Sequence, residues 1–559
     1  MLPRLGPPLT VLVLAGPVLA GLSWTALPAF GYLPALGGDG LSLDPFRRLL
    51  AEPGIWTSVW LSLSTGLLSA AAALSIVMMF TAAWAGTPSF VRVRSIISPL
   101  LSVPHAAAAF GLAFLIAPSG LIVRLISPEL TGWTQPPDLL VVNDPAGLSM
   151  VAGLVVKEIP FLMLITLASL PQARVAETRA LAASLGYGRM SGFLMLAWPA
   201  VYPQIRLAVF AVIAFATSVV DVAMILGPTT PAPLAVRIVG WMGDPDLAMR
   251  FKACAGALLQ LGVTAAALLM WLALERIAAA IRDCASHRGM RLASDRLAAW
   301  SARAAMVASA ALVFAGLATL AIWSVAGLWQ FPDALPRAFT LAAWGSAGMR
   351  LGEPLATTLI AAAVATSLAL VLVLACLIRE GETGRKAGRT AMAIIYLPLI
   401  VPQTAFLFGL QFLFLTLGIG ASMAALVVAH LVFVLPYVFL SLSDPWRAFD
   451  PRYEQVAAGL GRSRRATLLR IRLAMQLRPI LTAAAVGFAV SVGLYLPTLL
   501  IGAGRLPTIT TEAVALASGG NRRVIGVYAF VQMLLPAIGF AIAIFVPTLL
   551  FRRFRAMRA

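Results

Sequence analysis

The chain has 559 residues, 60% of them hydrophobic and 11% charged, with a formal net charge of +19. Soluble domains carry about a quarter charged residues, so this composition excludes an ordinary soluble globular protein. Mean hydropathy is +0.93, and apolar runs of roughly 20 residues recur, each enough for a helix to cross about 30 Å of hydrocarbon. The expected fold class is therefore all-α, a polytopic membrane protein of about 12 transmembrane helices. A β-barrel would read as short alternating segments instead.

In chain order, the first span is expected at about Leu9–Phe30. Its apolar run is longer than the usual h-region of a signal peptide, about 7–15 residues, so it reads as a retained span. Further spans are expected near Trp56–Trp84, Ile96–Ile116, Leu148–Leu170, Leu207–Leu226 and Ala253–Ala280. Between Arg282 and Arg303 the chain turns polar and basic, which marks 282–303 as a linker. The pattern then repeats, near Ala305–Leu328, Leu355–Leu377, Ala391–Leu417, Ser422–Leu442, Leu481–Ile501 and Val524–Leu550. The domain reading is a first bundle over 1–281 and a second over 304–559.

The Lys and Arg residues gather in alternate loops. By the positive-inside rule both termini are then cytoplasmic, and the net charge needs no nucleic-acid partner. Each half holds an even number of spans, so the halves form a parallel repeat about an axis along the membrane normal. Three cysteines (Cys254, Cys284, Cys376) have no paired spacing and suggest neither a disulfide framework nor a metal site. No catalytic constellation stands out, and no P-loop of the form G-x-x-x-x-G-K-[ST] is present.

Two loops stand out as near-duplicates. One occupies about 171–206 and is centred on Gly186; the other occupies about 444–479 and is centred on Gly461. In each, a stretch of helix-favouring composition runs into the glycine, and an apolar-and-basic stretch follows. The glycine ends the first helix or allows a close backbone approach. Inside the spans, Lys157, Glu158, Asp221 and His430 are the candidate lining of a translocation path, because ionisable groups in hydrocarbon are costly and persist where they line a cavity or pair. Lys157 and Glu158 project about 100° apart on a helix and need not pair with each other. For His105 and His430 taken singly, a packing role is the default. Pro160 and Pro436 fall at nearly matching distances before the two glycines and are candidate helix bends at a gate.

The loops resemble the signature of permease subunits of ABC importers, E-A-A-x-x-x-G followed farther on by I-x-L-P. The first matches at Ala182, Gly186 and Pro199, with Leu196 for Ile and Trp198 for Leu. The second matches at Ala457, Gly461, Ile471 and Leu473, with Ala474 where Pro is expected. The Glu position holds Ala180 and Gln455, and Glu177 and Glu454 lie nearby but displaced. The resemblance covers nearly the whole chain. It implies a fused type I permease, similar to the iron(III) and thiamine group, in a bacterial inner membrane. It further implies two copies of an ABC ATPase subunit that use ATP and Mg, a soluble binding protein that delivers a small solute, and no cofactor on this chain. The alternative is an ion-coupled secondary transporter with two six-helix halves. That mechanism needs acidic residues at the centre of several spans, and Glu158 and Asp221 are few for it.

Overall fold

The computed structural model describes residues 2–291 and 295–552. Residues 292–294, inside the expected linker, and 553–559 of the basic tail lie outside the described residues. Among the described residues every long element is a helix. Ten helices are long and apolar enough to cross a membrane alone, and two bent pairs bring the number to 12 when each counts as one span. The all-α polytopic fold follows.

The first half contributes Leu2–Ala29, Ile55–Trp84, His105–Ile116, Leu148–Ser169, Trp198–Ser218 and Met249–His287. The second contributes Arg296–Ser324, Ala342–Thr383, the pair Arg389–Ile400 and Gln403–Thr416, then Met423–Arg447, Leu477–Gly493 and Arg522–Leu550. We number these as spans one to twelve.

Four spans expected as unbroken helices are interrupted. Before the third, the helix Pro88–Ile97 gives way to a tight turn at Ser98–Ser102, and helix resumes only at His105. The ninth turns by 87° between Ile400 and Gln403. The cause is the same in both. A residue before proline is pushed out of the helical region, and proline has no N–H to give the ladder. Val103 before Pro104 has φ −72° and ψ 124°, and Val401 before Pro402 has φ −76° and ψ 125°. The fifth and eleventh spans also stop early, at extended Val219 and Leu494, and restart as Asp221–Leu226 and Leu496–Gly502. Pro160 and Pro436, the expected bends, lie inside helices that run on through them.

Broken backbone at membrane depth needs donors from elsewhere. Gln260 of the sixth span donates to Thr217 O at 3.0 Å. Thr510 donates to Val492 O, and Gln532 of the twelfth span supports Thr510 Oγ1 at 2.8 Å. Both glutamines are fully buried. Each half thus serves its own break from its own last span.

The first helix of each half lies against the other half. The first span packs on the eighth and ninth, and the seventh packs on the second and third. Both exchanges use the same three residues, Ala20-Gly21-Leu22 and Ala315-Gly316-Leu317. Gly21 crosses Gly409, and Gly316 crosses Gly111. A Cβ on Gly409 would stand 1.9 Å from Gly21 O, and one on Gly111 would stand 2.8 Å from the carbonyl carbon of Gly316. Small residues let membrane helices approach backbone to backbone, and packing then replaces a hydrophobic drive that lipid cannot supply. The Gly409 N–H also donates to Thr25 Oγ1 at 2.9 Å.

Gly409→Ala forces methyl against backbone, so it lowers stability by about 1–3 kcal/mol. Gly348, on an open helix face with nothing within 4 Å of an added Cβ, tolerates Ala. Thermal melting of the two purified variants checks the contrast; equal melting temperatures contradict it.

Candidate functional site

The two Gly-centred loops fold alike. The first is the helix Val175–Ser184, closed by Gly186 at φ +80°. The second is Arg452–Gly459, closed by Gly461 at φ +74°. The left-handed φ is what requires glycine here. In the first, the Tyr187 N–H donates to Ala182 O at 3.0 Å; in the second, the Arg462 N–H donates to Ala457 O at 3.0 Å. After the turn each chain re-enters helix through a wider π turn, Phe193–Ala197 and Leu468–Arg472. Those turns begin at the same offset from their glycines. Leu196 and Ile471 sit half-buried within them, with Pro199 and Leu473 just beyond. An even number of spans separates the loops, so both lie at one end of the bundle.

Ala182 and Ala457 are buried at 3% exposure and fix each short helix to the body. The opposite face is open and apolar. Leu181 and Leu185 are 53% and 40% exposed, and their counterparts Val456 and Leu460 are 63% and 76% exposed. Each loop thus presents two apolar side chains at matching positions on its open face.

The displaced acids differ. Glu177 makes an exposed pair with Arg174 at 3.5 Å. Glu454 accepts from Arg472 Nη1 at 2.9 Å. Arg472 in turn lies over the rings of Trp446 and Phe449, 4.4 and 5.3 Å from their centroids, and donates to Trp446 O. Glu454 therefore ties the second short helix to its π turn, and nothing comparable holds Glu177.

A polar layer lies at mid-depth, where the interrupted spans meet. Lys157 Nζ donates to the Leu100 and Leu101 carbonyls at 3.2 and 3.3 Å, in the turn before Pro104. Its neighbour Glu158 faces the other side of the break, with Oε1 3.4 Å from His105 Nε2. Lys157 and Glu158 thus hold two sides of one break and go to different partners. Glu158 is buried, while the His105 side chain is 33% exposed. The His105 ring leans on Phe215 at 4.7 Å. Asp221, buried at the restart of the fifth span, lies within electrostatic reach of His105 and of Tyr495.

The second half closes this layer. Pro104 stands 3.7 Å from where a Cβ on Gly493 would be, so the third-span and eleventh-span breaks abut. The Tyr495 hydroxyl reaches Met224 Sδ at 3.5 Å. Phe161 and Tyr437, each directly after its half's proline, meet edge-on at 6.2 Å. Toward the loop end, Ala208, Ala211 and Tyr396 form an apolar cluster with Phe161 against it. At the positions aligned with Lys157 and Glu158, the second half has Phe433 and Val434, both buried. The charge at the centre therefore comes from the first half.

His430 sits elsewhere. It is 1% exposed. Its Nδ1 pairs with Ser491 Oγ at 2.7 Å and its Nε2 with Thr498 Oγ1 at 2.9 Å, on the two sides of the eleventh-span break. Both ring nitrogens are satisfied within the second half. Sequence reading did not single out Phe161, Tyr437 or Tyr495. The one signal for the first two was their shared place after Pro160 and Pro436.

No family model matches the chain. Over 507 residues, 90% of this chain and 90% of the relative, it is 32% identical to the inner membrane ABC transporter permease protein YnjC of Escherichia coli (strain K12). The chain belongs to the ABC transporter permeases. A stretch of 108 residues, 19% of this chain and 42% of the relative, is 28% identical to the spermidine/putrescine transport system permease protein PotC of Haemophilus influenzae. This membership does not favour the ion-coupled secondary transporter.

His430→Ala removes both buried hydrogen bonds and leaves two hydroxyls behind, so it destabilises by about 1–3 kcal/mol. Thermal melting in detergent reads this directly, and an unchanged midpoint contradicts it.

Proposed function

We propose that this chain is the fused transmembrane permease of a type I ABC importer, with the halves 1–281 and 304–559 joined through the linker 282–303. The pair of equivalent loops, with exposed apolar residues at matching places on one end of the bundle, carries this reading. Two ATPase subunits dock there, one per loop, and bind and hydrolyse ATP with Mg. A soluble binding protein delivers solute at the opposite face. The loop end is cytoplasmic, since the arginine-rich loops lie there, and both termini are on that side. The inner membrane location follows that named for the Escherichia coli relative.

The geometry supports alternating access. The first loop continues as one helix, Arg189–Ser218, from the docking end to the polar layer. A push on Arg189 therefore reaches Val219 beside Asp221 through helix that includes the π turn Phe193–Ala197. In the second loop the corresponding path turns by 69° between Met475 and Leu477. The apolar cluster of Ala208, Ala211, Tyr396 and Phe161 seals the path on the cytoplasmic side, and Pro160 and Pro436 set the two facing rings, Phe161 and Tyr437, at the gate. Lys157 holds the third-span break in shape. Glu158 and Asp221 face the path beside His105, and His430 braces the eleventh-span break behind it.

The solute is small and thiamine-like, iron(III) or similar. All of these are cations, as are spermidine and putrescine, the solutes named for the Haemophilus relative. Two carboxylates among aromatic rings suit a cation, by charge and by the face of the ring.

Docking is tested at the exposed leucines and valine. Glu at Leu181, Leu185, Val456 and Leu460 together leaves the buried faces intact. The substituted chain is expected to insert and melt as before, and to retain about ten-fold less of its ATPase on co-purification. Retention at the unsubstituted level contradicts the docking reading.

A further inference from the structure

The two loops differ in how the helix after the glycine begins. In the second, Ser463 occupies the N-cap and its hydroxyl accepts from the Ala466 N–H at 3.3 Å. Such a cap satisfies one of the open N–H groups of a first turn. In the first, the equivalent residue is Gly188, which has no side chain to offer. The helix Arg189–Ser218 nevertheless has a cap. The Met190 N–H donates to Asp295 Oδ2 at 2.6 Å, from 105 positions along the chain.

Asp295 is itself the N-cap residue of the seventh span, and its side chain makes no cap bond there. The carboxylate serves the distant helix instead of its own. Its position is well anchored. The Ala299 N–H donates to Asp295 O at 2.9 Å, and Trp84 Nε1 donates to Ala299 O at 2.9 Å. Trp300 packs against Trp84 at 5.4 Å, and Arg303 lies over both rings at 5.0 and 5.1 Å. Ala299 also packs on the cluster that holds Met190 and Phe193.

A second observation points the same way. The Arg291 guanidinium lies over Gly186, 3.6 Å from where its Cβ would be. Among the described residues, nothing lies within 4 Å of the same point on Gly461. Arg291 and Asp295 both belong to the segment that joins the halves.

We propose that Arg291 and Asp295, at the joint between the halves, are working parts of the first docking surface. Asp295 is a positioning residue that supplies the missing N-cap, and Arg291 covers the turn glycine. The two docking surfaces are then inequivalent. The second is self-contained, and the first is held in shape by the joint between the halves. This rests on reading the Gly186 loop as an ATPase-docking surface.

The test uses the full-length chain, with and without its ATPase. Amide hydrogen exchange of the permease alone tests the cap without any docking partner. Asp295→Ala is expected to speed exchange at Met190 by about five-fold, the size of a lost N-cap, and to leave Ala466 unchanged. Adding Gly188→Ser, which copies Ser463, places its hydroxyl on the Ser191 N–H three residues on and is expected to slow exchange there. Unchanged exchange at Met190 in Asp295→Ala overturns the cap. Co-purification of the ATPase then tests its use. Asp295→Ala is expected to retain several-fold less ATPase, with recovery in the double variant. Altered exchange with full retention overturns the claim that the joint shapes docking. Failure of docking in general is read separately, from the Leu181, Leu185, Val456 and Leu460 substitutions.

Discussion

Two backbone crossings hold the molecule together. Gly21 meets Gly409 and Gly111 meets Gly316, so close that neither site has room for a single methyl group. Each crossing joins the first helix of one half to the third helix of the other. The halves are therefore interlocked, and any motion between them must pivot where helices are already broken. Those breaks are at Val103-Pro104, Val219, Val401-Pro402 and Leu494. The rigid parts and the yielding parts of the fold follow from one geometric fact.

The polar groups at the centre follow from the same breaks. An interrupted helix exposes carbonyls that lipid cannot satisfy. Lys157 and the buried Gln260 answer that need in the first half, and Thr510, Gln532 and His430 answer it in the second. The ionisable groups beside these breaks that serve no interrupted carbonyl are Glu158, His105 and Asp221, near Tyr495. The residual charge belongs to the first half only. The two halves break their helices at corresponding spans and differ in chemistry there and at the Gly186 and Gly461 loops.

Much of this was legible in the sequence. The spans show because a run of apolar residues has few other readings, and the loops show because Gly186 and Gly461 carry the same surroundings twice. The interruptions were hidden because Val-Pro inside an apolar run does not lower its hydropathy. The helix exchange was hidden because Ala-Gly-Leu looks like any stretch of membrane helix. Asp295 could not be read as a cap for Met190, since capping patterns are local and these residues are 105 apart. His430 is a different case: packing is the default for a lone imidazole in a span, and its two partners, Ser491 and Thr498, lie 61 and 68 positions away, beyond any local pattern.

The docking proposal requires both Gly-centred loops to lie on one face of the membrane. Single cysteines at Leu185 and Leu460 test it most directly, in a chain whose exposed Cys284 is replaced; Cys254 and Cys376 are buried. A membrane-impermeant maleimide is applied to sealed vesicles of each orientation. The account predicts that both positions label in inside-out vesicles and neither labels in right-side-out vesicles. Labelling of the two positions from opposite sides would contradict it.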